Sequence, residues 1–355
     1  MKILITSRDV GAAKQNLAFL EDILAEKLNV EIRVLAQEPA YNIFKKAKFT
    51  CTLIGEDCSK LCESIIDDFK PDFALLGLSG FKIGIDEIVR NFCKIKNIKC
   101  GVIQDYWGYT GSYNQHSFPN YFFVIDNQAE KLTHLNTKGK SSCHVVGSPK
   151  HEQYGGMLKK WSIESPYRSS KTSFLLVGQP YEIPGYLENI DCLFSALKEV
   201  SNSFTLFIKD HPNNKKELYS EKLKKYSYPF HILDEDCKIE PAILNASVVI
   251  NCCSTAGLDH SYMQLYSQKD IGGLLYLSIG EEIKNFFRKS VGPIDLEELI
   301  SGMGLVAYSK REIVVHIMNI IKYNNGNYRF KIKQNLKNTN ESSISIYKLI
   351  RSIIN

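Results

Sequence analysis

The sequence predicts an α/β protein of two doubly wound domains, each built on a parallel sheet, that face a central cleft. Short apolar segments alternate with amphipathic helical patterns, and the alternation starts again after a polar stretch near the middle of the chain. Strands that are separated by helices join through right-handed crossovers and therefore form parallel sheets. With 355 residues, the chain is long enough to bury two separate cores.

The first predicted domain covers residues 1–160 and begins on an apolar strand. Between residues 17 and 24, leucine and isoleucine recur on one face of a helix. Further helices are predicted over Lys60–Phe69 and Ile85–Lys96. The predicted strands are Lys2–Thr6, Val30–Ala36, Cys51–Ile54, Asp72–Gly77, Cys100–Gln104, Tyr121–Ile125 and His144–Val146.

The second predicted domain covers residues 161–325. The polar stretch Met157–Thr172 is interpreted as a linker, and the alternation of strands and helices starts again after it. Helices are expected over Leu187–Val200, after Pro212, and over Ile239–Asn245. Residues 326–355 keep helical periodicity, so we expect one terminal helix that can pack back on the first domain. The predicted strands are Ser173–Val177, Phe204–Ile208, Phe230–Leu233, Ser247–Asn251 and, closing the series, Leu274–Leu277.

Composition favours a globular cytoplasmic protein. Hydrophobic residues make up 44% and charged residues 23% of the chain, and no apolar run reaches the ~20 residues that span a bilayer. The opening strand lacks the features of a signal peptide, so the ten cysteines are expected to be reduced thiols. A net charge of +5 does not indicate a nucleic-acid partner. The Lys/Arg-rich last 30 residues leave peripheral association with the inner face of the cytoplasmic membrane open.

A His-Pro step, His211-Pro212, follows the apolar strand Phe204–Ile208 almost directly. Proline fixes the backbone φ and lacks an N–H donor, so it ends the strand and turns the chain. This places the imidazole at the carboxyl edge of a sheet, where open α/β sheets bind their ligands. We therefore expect His211 to contact a ligand phosphate and to assist its departure, with an ordinary strand-end turn as the alternative.

In two further segments of the second domain, a predicted strand is followed by small or polar residues. Ser254 and Thr255 lie where a helix begins, and helix N-termini bind phosphate, although a plain Ser/Thr cap is the competing interpretation. Asp259, further into that helix, is a candidate to hydrogen-bond a ribose hydroxyl; the alternative is a helix carboxylate that faces solvent. Gly178 lets a ligand approach the backbone closely, and Gln179 adds a side-chain amide. A simple turn before Pro180 is the alternative.

In the first domain, Asp105 is the candidate general base. It follows the strand Cys100–Gln104 and precedes two aromatic residues, Tyr106 and Trp107, whose rings suit the apolar faces of a sugar acceptor. A structural aspartate that caps the loop is the alternative. Arg8, Asp9 and Gly11 follow the first strand and are expected to line the first sheet edge in the cleft, within reach of an acceptor or a donor.

Several motifs do not occur in the sequence. It has no Asp-x-Asp pair at a strand end and no His/Cys quartet, so we expect no metal. The Gly-x-Gly-x-x-Gly fingerprint and the P-loop are also missing, which disfavours oxidoreductases and kinases.

The whole chain resembles the GT-B glycosyltransferases, whose fold has two Rossmann-like domains. The His-Pro and Ser/Thr motifs further resemble those of bacterial sialyltransferases, polysialyltransferases and Kdo transferases, which use them to contact the CMP part of the donor. In those families the base belongs to an acidic pair before a glycine. Here Asp105 is a single acid, and the pair Glu56-Asp57 lacks the glycine. The matching segments are Ser7–Ala13, Phe122–Asp126, Val145–Pro149, Gly178–Pro180 and Ser254-Thr255.

The resemblance implies a metal-independent Leloir glycosyltransferase without a cofactor. Its co-substrate would be a nucleotide-activated sugar, with a preference for a CMP-linked nonulosonic acid or Kdo, and its acceptor a bacterial surface glycan or glycolipid. A nucleotide-sugar epimerase, a CDP-glycerol-type polymer transferase and a non-catalytic glycan- or nucleotide-binding scaffold share the fold and remain alternatives.

Overall fold

A computed structural model describes most of the chain. The described residues are 1–80, 83–111, 113, 118–161, 172–200, 203–211, 214, 217–234, 237–323, 326–336 and 341–355. They fall into two compact units. Unit 1 comprises Met1–Gln153, Ser290–Gly292 and Lys337–Asn355, and unit 2 comprises Tyr154–Lys289 and Pro293–Leu336.

Unit 1 is built on a 7-stranded parallel sheet in the order β3-β2-β1-β4-β5-β6-β7. Its strands are β1 (Lys2–Ser7), β2 (Glu31–Ala36), β3 (Thr52–Leu53), β4 (Phe73–Leu76), β5 (Lys99–Ile103), β6 (Tyr121–Val124) and β7 (Ser142–Val145). Its helices are α1 (Val10–Ala25), α2 (Ala40–Lys46), α3 (Ser59–Phe69), α4 (Ile85–Ile95) and α5 (Asn127–Thr137); α6 (Pro149–Trp161) begins in this unit.

Unit 2 is built on a 6-stranded parallel sheet in the order β10-β9-β8-β11-β12-β13. Its strands are β8 (Thr172–Val177), β9 (Phe204–Lys209), β10 (Phe230–Ile232), β11 (Val248–Asn251), β12 (Gly273–Leu277) and β13 (Leu305–Ala307). The later helices are α7 (Tyr186–Leu197), α8 (Glu217–Leu223), α9 (Ile239–Asn245), α10 (Ala256–Tyr266), α11 (Glu281–Val291), α12 (Leu296–Ile300), α13 (Lys310–Tyr323), α14 (Gly326–Asn335) and, in unit 1, α15 (Ser342–Ile354).

Each unit has its own core. In unit 1, strand residues such as Ile5 and Leu75 pack with Phe19 of α1, and α15 completes this core with Ile346 and Ile350. In unit 2, α7 and α13 pack on the sheet around residues such as Leu193. The central strands are buried on both faces, which explains their nearly continuous apolar sequences.

The structure departs from the sequence prediction at three places. The predicted linker is wrong over residues 157–161, because α6 continues to Trp161; residues 162–171 lie outside the described part. Leu274–Leu277 does not close the sheet, since β13 pairs beyond it. The predicted single terminal helix is two helices, α14 and α15. β13 has only three residues, which is too short to give an alternation signal.

The ten cysteines are all free thiols, as expected. Among the described residues, no helix is both long and apolar enough to cross a membrane.

Candidate functional site

Unit 2 has its topological switch point between β8 and β11, where the strand order reverses direction. The loops that leave these strands contain Gln179 on one side and Cys253 on the other. Gln179 Oε1 accepts hydrogen bonds from the Cys253 backbone N at 3.1 Å and from its Sγ at 2.8 Å. The Gln179 side chain is buried and ties the two loops together. The sequence predicted that Gln179 contacts the nucleotide-sugar donor. In the structure its amide oxygen is hydrogen-bonded to Cys253 within unit 2.

The His-Pro turn is held by a carboxylate that the sequence did not single out. Asp210 accepts hydrogen bonds from the His211 backbone N at 2.7 Å, from Asn214 Nδ2 at 2.7 Å and from the Tyr181 hydroxyl at 3.0 Å. These contacts fix the backbone position of His211, just after the end of β9. Pro212 lies outside the described residues.

Gly178 is explained by its neighbour in the sheet. A Cβ at Gly178 would lie 2.8 Å from Asp210 Oδ1 and 2.9 Å from the backbone N of His211. Only glycine therefore lets the loops after β8 and β9 approach so closely. Gly178 therefore leaves the space in which Asp210 and His211 are positioned.

His211 lines a pocket of about 230 Å³ at the carboxyl ends of β9 and β10. Lys209, Asp210 and Asp234 also line it. Lys209 Nζ donates to the backbone oxygen of Asp234 at 2.7 Å, which closes one wall. The pocket thus combines an imidazole with charged side chains of both signs.

The loop from β11 to α10 contains a buried donor without a partner. Asn251 Oδ1 accepts from the Ser254 backbone N at 3.3 Å, whereas Asn251 Nδ2, fully buried, has no hydrogen-bond partner among the described residues. Ser254 Oγ accepts from the backbone N of Ala256 at 3.2 Å and so acts partly as the predicted cap. Thr255 occupies the N-cap position, and its side chain makes no capping hydrogen bond. The Asn251 amide nitrogen and the Thr255 hydroxyl therefore do not take part in capping the helix.

Asp259 lies in the first turn of α10 and is only 4% exposed. Its Oδ1 accepts a hydrogen bond from the Tyr154 hydroxyl at 2.8 Å. Burial and the Asp259 charge both raise the pKa of Tyr154, which keeps that phenol protonated as the donor. The structure gives Asp259 an internal partner, and its contact with a ribose stays a prediction.

In unit 1 the strand order reverses between β1 and β4, and the predicted residues after β1 lie at that point. Arg8 donates to the Gly80 backbone oxygen, and Asp9 Oδ2 accepts from the Gly80 backbone N at 2.6 Å. A Cβ at Gly11 would lie 2.6 Å from Asp105 Oδ2, so this carboxylate lies against the first turn of α1. The structure therefore brings Arg8, Asp9, Gly11 and Asp105 together at one sheet edge.

Two acidic residues of α4 complete this edge and were missed in the sequence. Asp86 is fully buried and accepts from the hydroxyls of Thr6 and Ser79, each at 2.6 Å. Burial raises its pKa despite these bonds. Burial, reinforced by Asp86, also raises the pKa of Glu87 to about 7. The sequence signal was the Gly-x-x-Glu capping box that Glu87 closes on Gly84.

Arg8 Nε and Glu87 Oε1 are both buried without a hydrogen-bond partner among the described residues. They flank the same glycine: a Cβ at Gly84 would lie 2.9 Å from Arg8 Nε, and Glu87 Oε2 accepts from the Gly84 N at 2.8 Å. Arg8 Nε does lie 4.0 Å from Asp9 Oδ1 in an ion pair, so buried charged groups of both signs meet at the switch-point edge.

The aromatic loop after β5 is packed inside unit 1. Trp107 is 1% exposed, its Nε1 donates to Asp126 Oδ2 at 2.8 Å, and Tyr106 packs edge-on against its ring. Gly108 has φ +62°, and a Cβ there would meet the Val291 backbone oxygen at 2.1 Å. Trp107 therefore has a structural role in anchoring the loop to the start of α5, and acceptor contact by Tyr106 or Trp107 stays a prediction.

Each sheet edge can perform a different chemical task. In unit 2, a helix start beside a buried, unpartnered amide donor suits an anionic ligand. In unit 1, carboxylates of contrasting burial suit proton transfer. Among the described residues, no cluster of His, Cys, Asp or Glu could hold a metal ion.

Solved structures resemble this chain over its whole length. UDP-GlcNAc 2-epimerase from Neisseria meningitidis, bound to UDP-GlcNAc, matches with a TM-score of 0.72 and 13% identity over 99% of this chain and 100% of that one. The S. aureus MnaA–UDP co-structure gives 0.70 and 14% over 100% and 97%. The glycotransferase of kitacinnamycin gives 0.64 and 8% over 100% and 99%. No protein-family model matches the sequence, and no curated protein matches it.

These likenesses confirm the predicted fold class, two Rossmann-like parallel-sheet units of the GT-B type. At such low identity they show the fold alone. Specificity for a CMP-linked sugar finds no support in them, because the similar structures named above contain UDP or UDP-GlcNAc where a nucleotide is stated.

Proposed function

We propose that this protein is a glycosyltransferase that uses a nucleoside-diphosphate sugar. The observation that carries the proposal is the start of α10, where a buried, unpartnered Asn251 Nδ2 lies beside a helix N-terminus at a switch point. Helix N-termini and amide donors are the groups that proteins use for phosphate. Unit 2 is thus assigned to the nucleotide.

In this proposal the phosphates lie at the loop Asn251–Ala256. Asn251 Nδ2 and the Thr255 hydroxyl donate hydrogen bonds to phosphate oxygens, and the α10 dipole favours the negative charge. His211, fixed by Asp210, interacts with the departing phosphate and stabilises the charge that develops on it. The pocket beside His211 is large enough for part of a nucleotide.

Unit 1 is assigned to proton transfer. Asp105 lies against the first turn of α1. As general base it takes the proton of the acceptor hydroxyl, whose oxygen then bonds to the anomeric carbon while the bond to the phosphate oxygen breaks. The nucleoside diphosphate leaves with the electron pair of that bond.

The nucleotide proposed is uridine diphosphate, supported by the UDP and UDP-GlcNAc bound to proteins of the same fold. The CMP-linked donor, to which the His-Pro motif led, stays a second prediction. A ligand screen that contains both nucleotides separates the two.

A nucleotide-sugar epimerase is the second candidate, and one structural feature favours it. Epimerisation needs acid and base groups close together around the sugar, and the sequence showed no such cluster. Asp9 Oδ2 and the Tyr109 hydroxyl both lie beside Gly80, 3.4 and 3.7 Å from a Cβ there, and burial together with the charges of Asp105 and Asp9 raises the pKa of Tyr109.

Product analysis by NMR distinguishes these activities. The protein is incubated with a panel of nucleotide sugars that includes UDP-GlcNAc, each alone and with a mixture of oligosaccharide acceptors, and the anomeric signals are followed. Release of UDP that depends on an acceptor, lost in Asp105→Asn, supports transfer. Conversion to an epimer without an acceptor supports the second candidate, and an unchanged spectrum for every nucleotide sugar tested contradicts both.

A further inference from the structure

The net charge of the protein is concentrated at its carboxyl end. Residues 326–355 contain six Lys or Arg and one acidic residue, Glu341, so they carry +5, which equals the net charge of the whole chain. The preceding residues therefore balance to zero. Such asymmetry is typical of a segment that meets an anionic partner.

Helix α14 presents part of this charge around an exposed aromatic ring. Ile332 is fully buried on the inner face, whereas Phe330 is 61% exposed. At 100° per residue, Lys331 and Lys333 lie on either side of Phe330 on the outer face, and both are exposed. We call Phe330, Lys331 and Lys333 the basic face.

The basic face is held in place by contacts on the inner side. Helix α14 packs on α10, and Asn335 Nδ2 donates to the Ser301 backbone oxygen at 2.9 Å. The aliphatic stem of Lys331 lies over Gly302, since a Cβ there would be 3.5 Å from Lys331 Cγ. At the end of α13, Tyr323 adds a second exposed ring, 67% accessible, next to the exposed Lys322.

We propose that the basic face docks on an anionic lipid bilayer. Lysine heads pair with acidic headgroups while their stems and the neighbouring aromatic rings enter the interface. The convex surface of a helix, with cations on either side of an apolar ring, suits a flat surface better than a nucleic-acid strand, which is held in a groove. Docking would place the protein where glycolipid acceptors are found, but it does not depend on the proposed reaction.

Vesicle co-sedimentation of the full chain tests this proposal. Vesicles of phosphatidylcholine alone are compared with vesicles that also contain phosphatidylglycerol, at low and high salt. We expect binding to the anionic vesicles only, weakened by salt. Lys331→Ala/Lys333→Ala should lower the affinity roughly 30-fold, at about fivefold per lysine near the surface. Phe330→Ala should weaken binding less but at both salt concentrations.

Lys224→Ala/Lys225→Ala is the matched control, because it removes the same charge from another exposed site of unit 2. An equal loss in the control, equal binding to neutral vesicles, or no sedimentation would overturn the proposal. Displacement by a DNA oligonucleotide would instead identify a nucleic-acid surface and overturn it as well. The measurement involves no nucleotide sugar, so its outcome is independent of the proposed enzymatic activity.

Discussion

Replacing Gly178 with alanine should displace His211 and weaken nucleotide binding. The new Cβ would lie 2.8 Å from Asp210 Oδ1, 2.9 Å from the His211 backbone N and 3.0 Å from Asp210 Cα, against ordinary contacts of 3.4–4 Å. Asp210 cannot swing aside easily, since its carboxylate accepts from His211, Asn214 and Tyr181. The backbone at the turn must therefore shift by roughly 0.5 Å.

Such overpacking costs about 1–3 kcal/mol of unfolding free energy. Displacement of a contact residue on this scale should lower nucleotide affinity roughly tenfold or more. Urea unfolding and isothermal titration with UDP measure the two effects.

Gly156→Ala in α6 is the matched control, because nothing lies within 4 Å of its Cβ. Alanine should stabilise that helix by up to about 1 kcal/mol without affecting nucleotide binding. Wild-type stability and affinity in Gly178→Ala, or the same losses in the control, would refute the reasoning.

Three further predictions concern unit 1. Asp105→Asn should lower the turnover of nucleotide sugar about 10²–10⁴-fold in a coupled UDP-release assay while UDP affinity stays unchanged; a loss confined to affinity would contradict the assignment. Trp107→Phe removes the 2.8 Å hydrogen bond to the Asp126 carboxylate and should cost about 1–3 kcal/mol in urea unfolding, and an unchanged midpoint would show that the bond is dispensable. Because the Glu87 pKa is raised from 4.5 to about 7, the folded state binds its proton more tightly than the unfolded state does. The stability that this proton contributes, up to about 3 kcal/mol, is present below pH 4.5 and is lost as the pH rises through 7. Glu87→Gln should therefore flatten the decline in unfolding free energy that the wild-type protein shows between pH 4.5 and 7. Parallel pH curves for the two proteins would show that Glu87 does not cause this decline.

The alternation of strands and helices was predictable because parallel strands buried on both faces have continuous apolar sequences. Both switch points follow from strand order, however, which depends on long-range pairing. β1 pairs with β4 and β8 with β11, and no local pattern encodes such a choice. The short strand β13 was missed for want of length.

The candidate site was predictable at strand ends and less so inside the units. The sequence was right that His211 follows a strand and that Ser254 and Thr255 precede a helix, because these transitions depend on local residue patterns; the binding roles of these residues stay predictions. The sequence cannot show that Asp210 holds His211, or that Asp259 is paired to Tyr154. The sequence likewise cannot show that the Trp107 ring is buried, because composition does not distinguish a buried ring from an exposed one. Those distinctions arise from tertiary packing.

Direct titration with free nucleotides tests the assignment of unit 2 most directly. Isothermal titration of the wild-type protein and of Asn251→Ala with UDP, CMP, CDP and GDP would measure it. We predict that UDP binds the wild-type protein and that the variant, which lacks the buried amide donor at the start of α10, binds at least tenfold more weakly with its fold intact. Absence of binding by every nucleotide, or equal affinity in Asn251→Ala, would contradict the assignment.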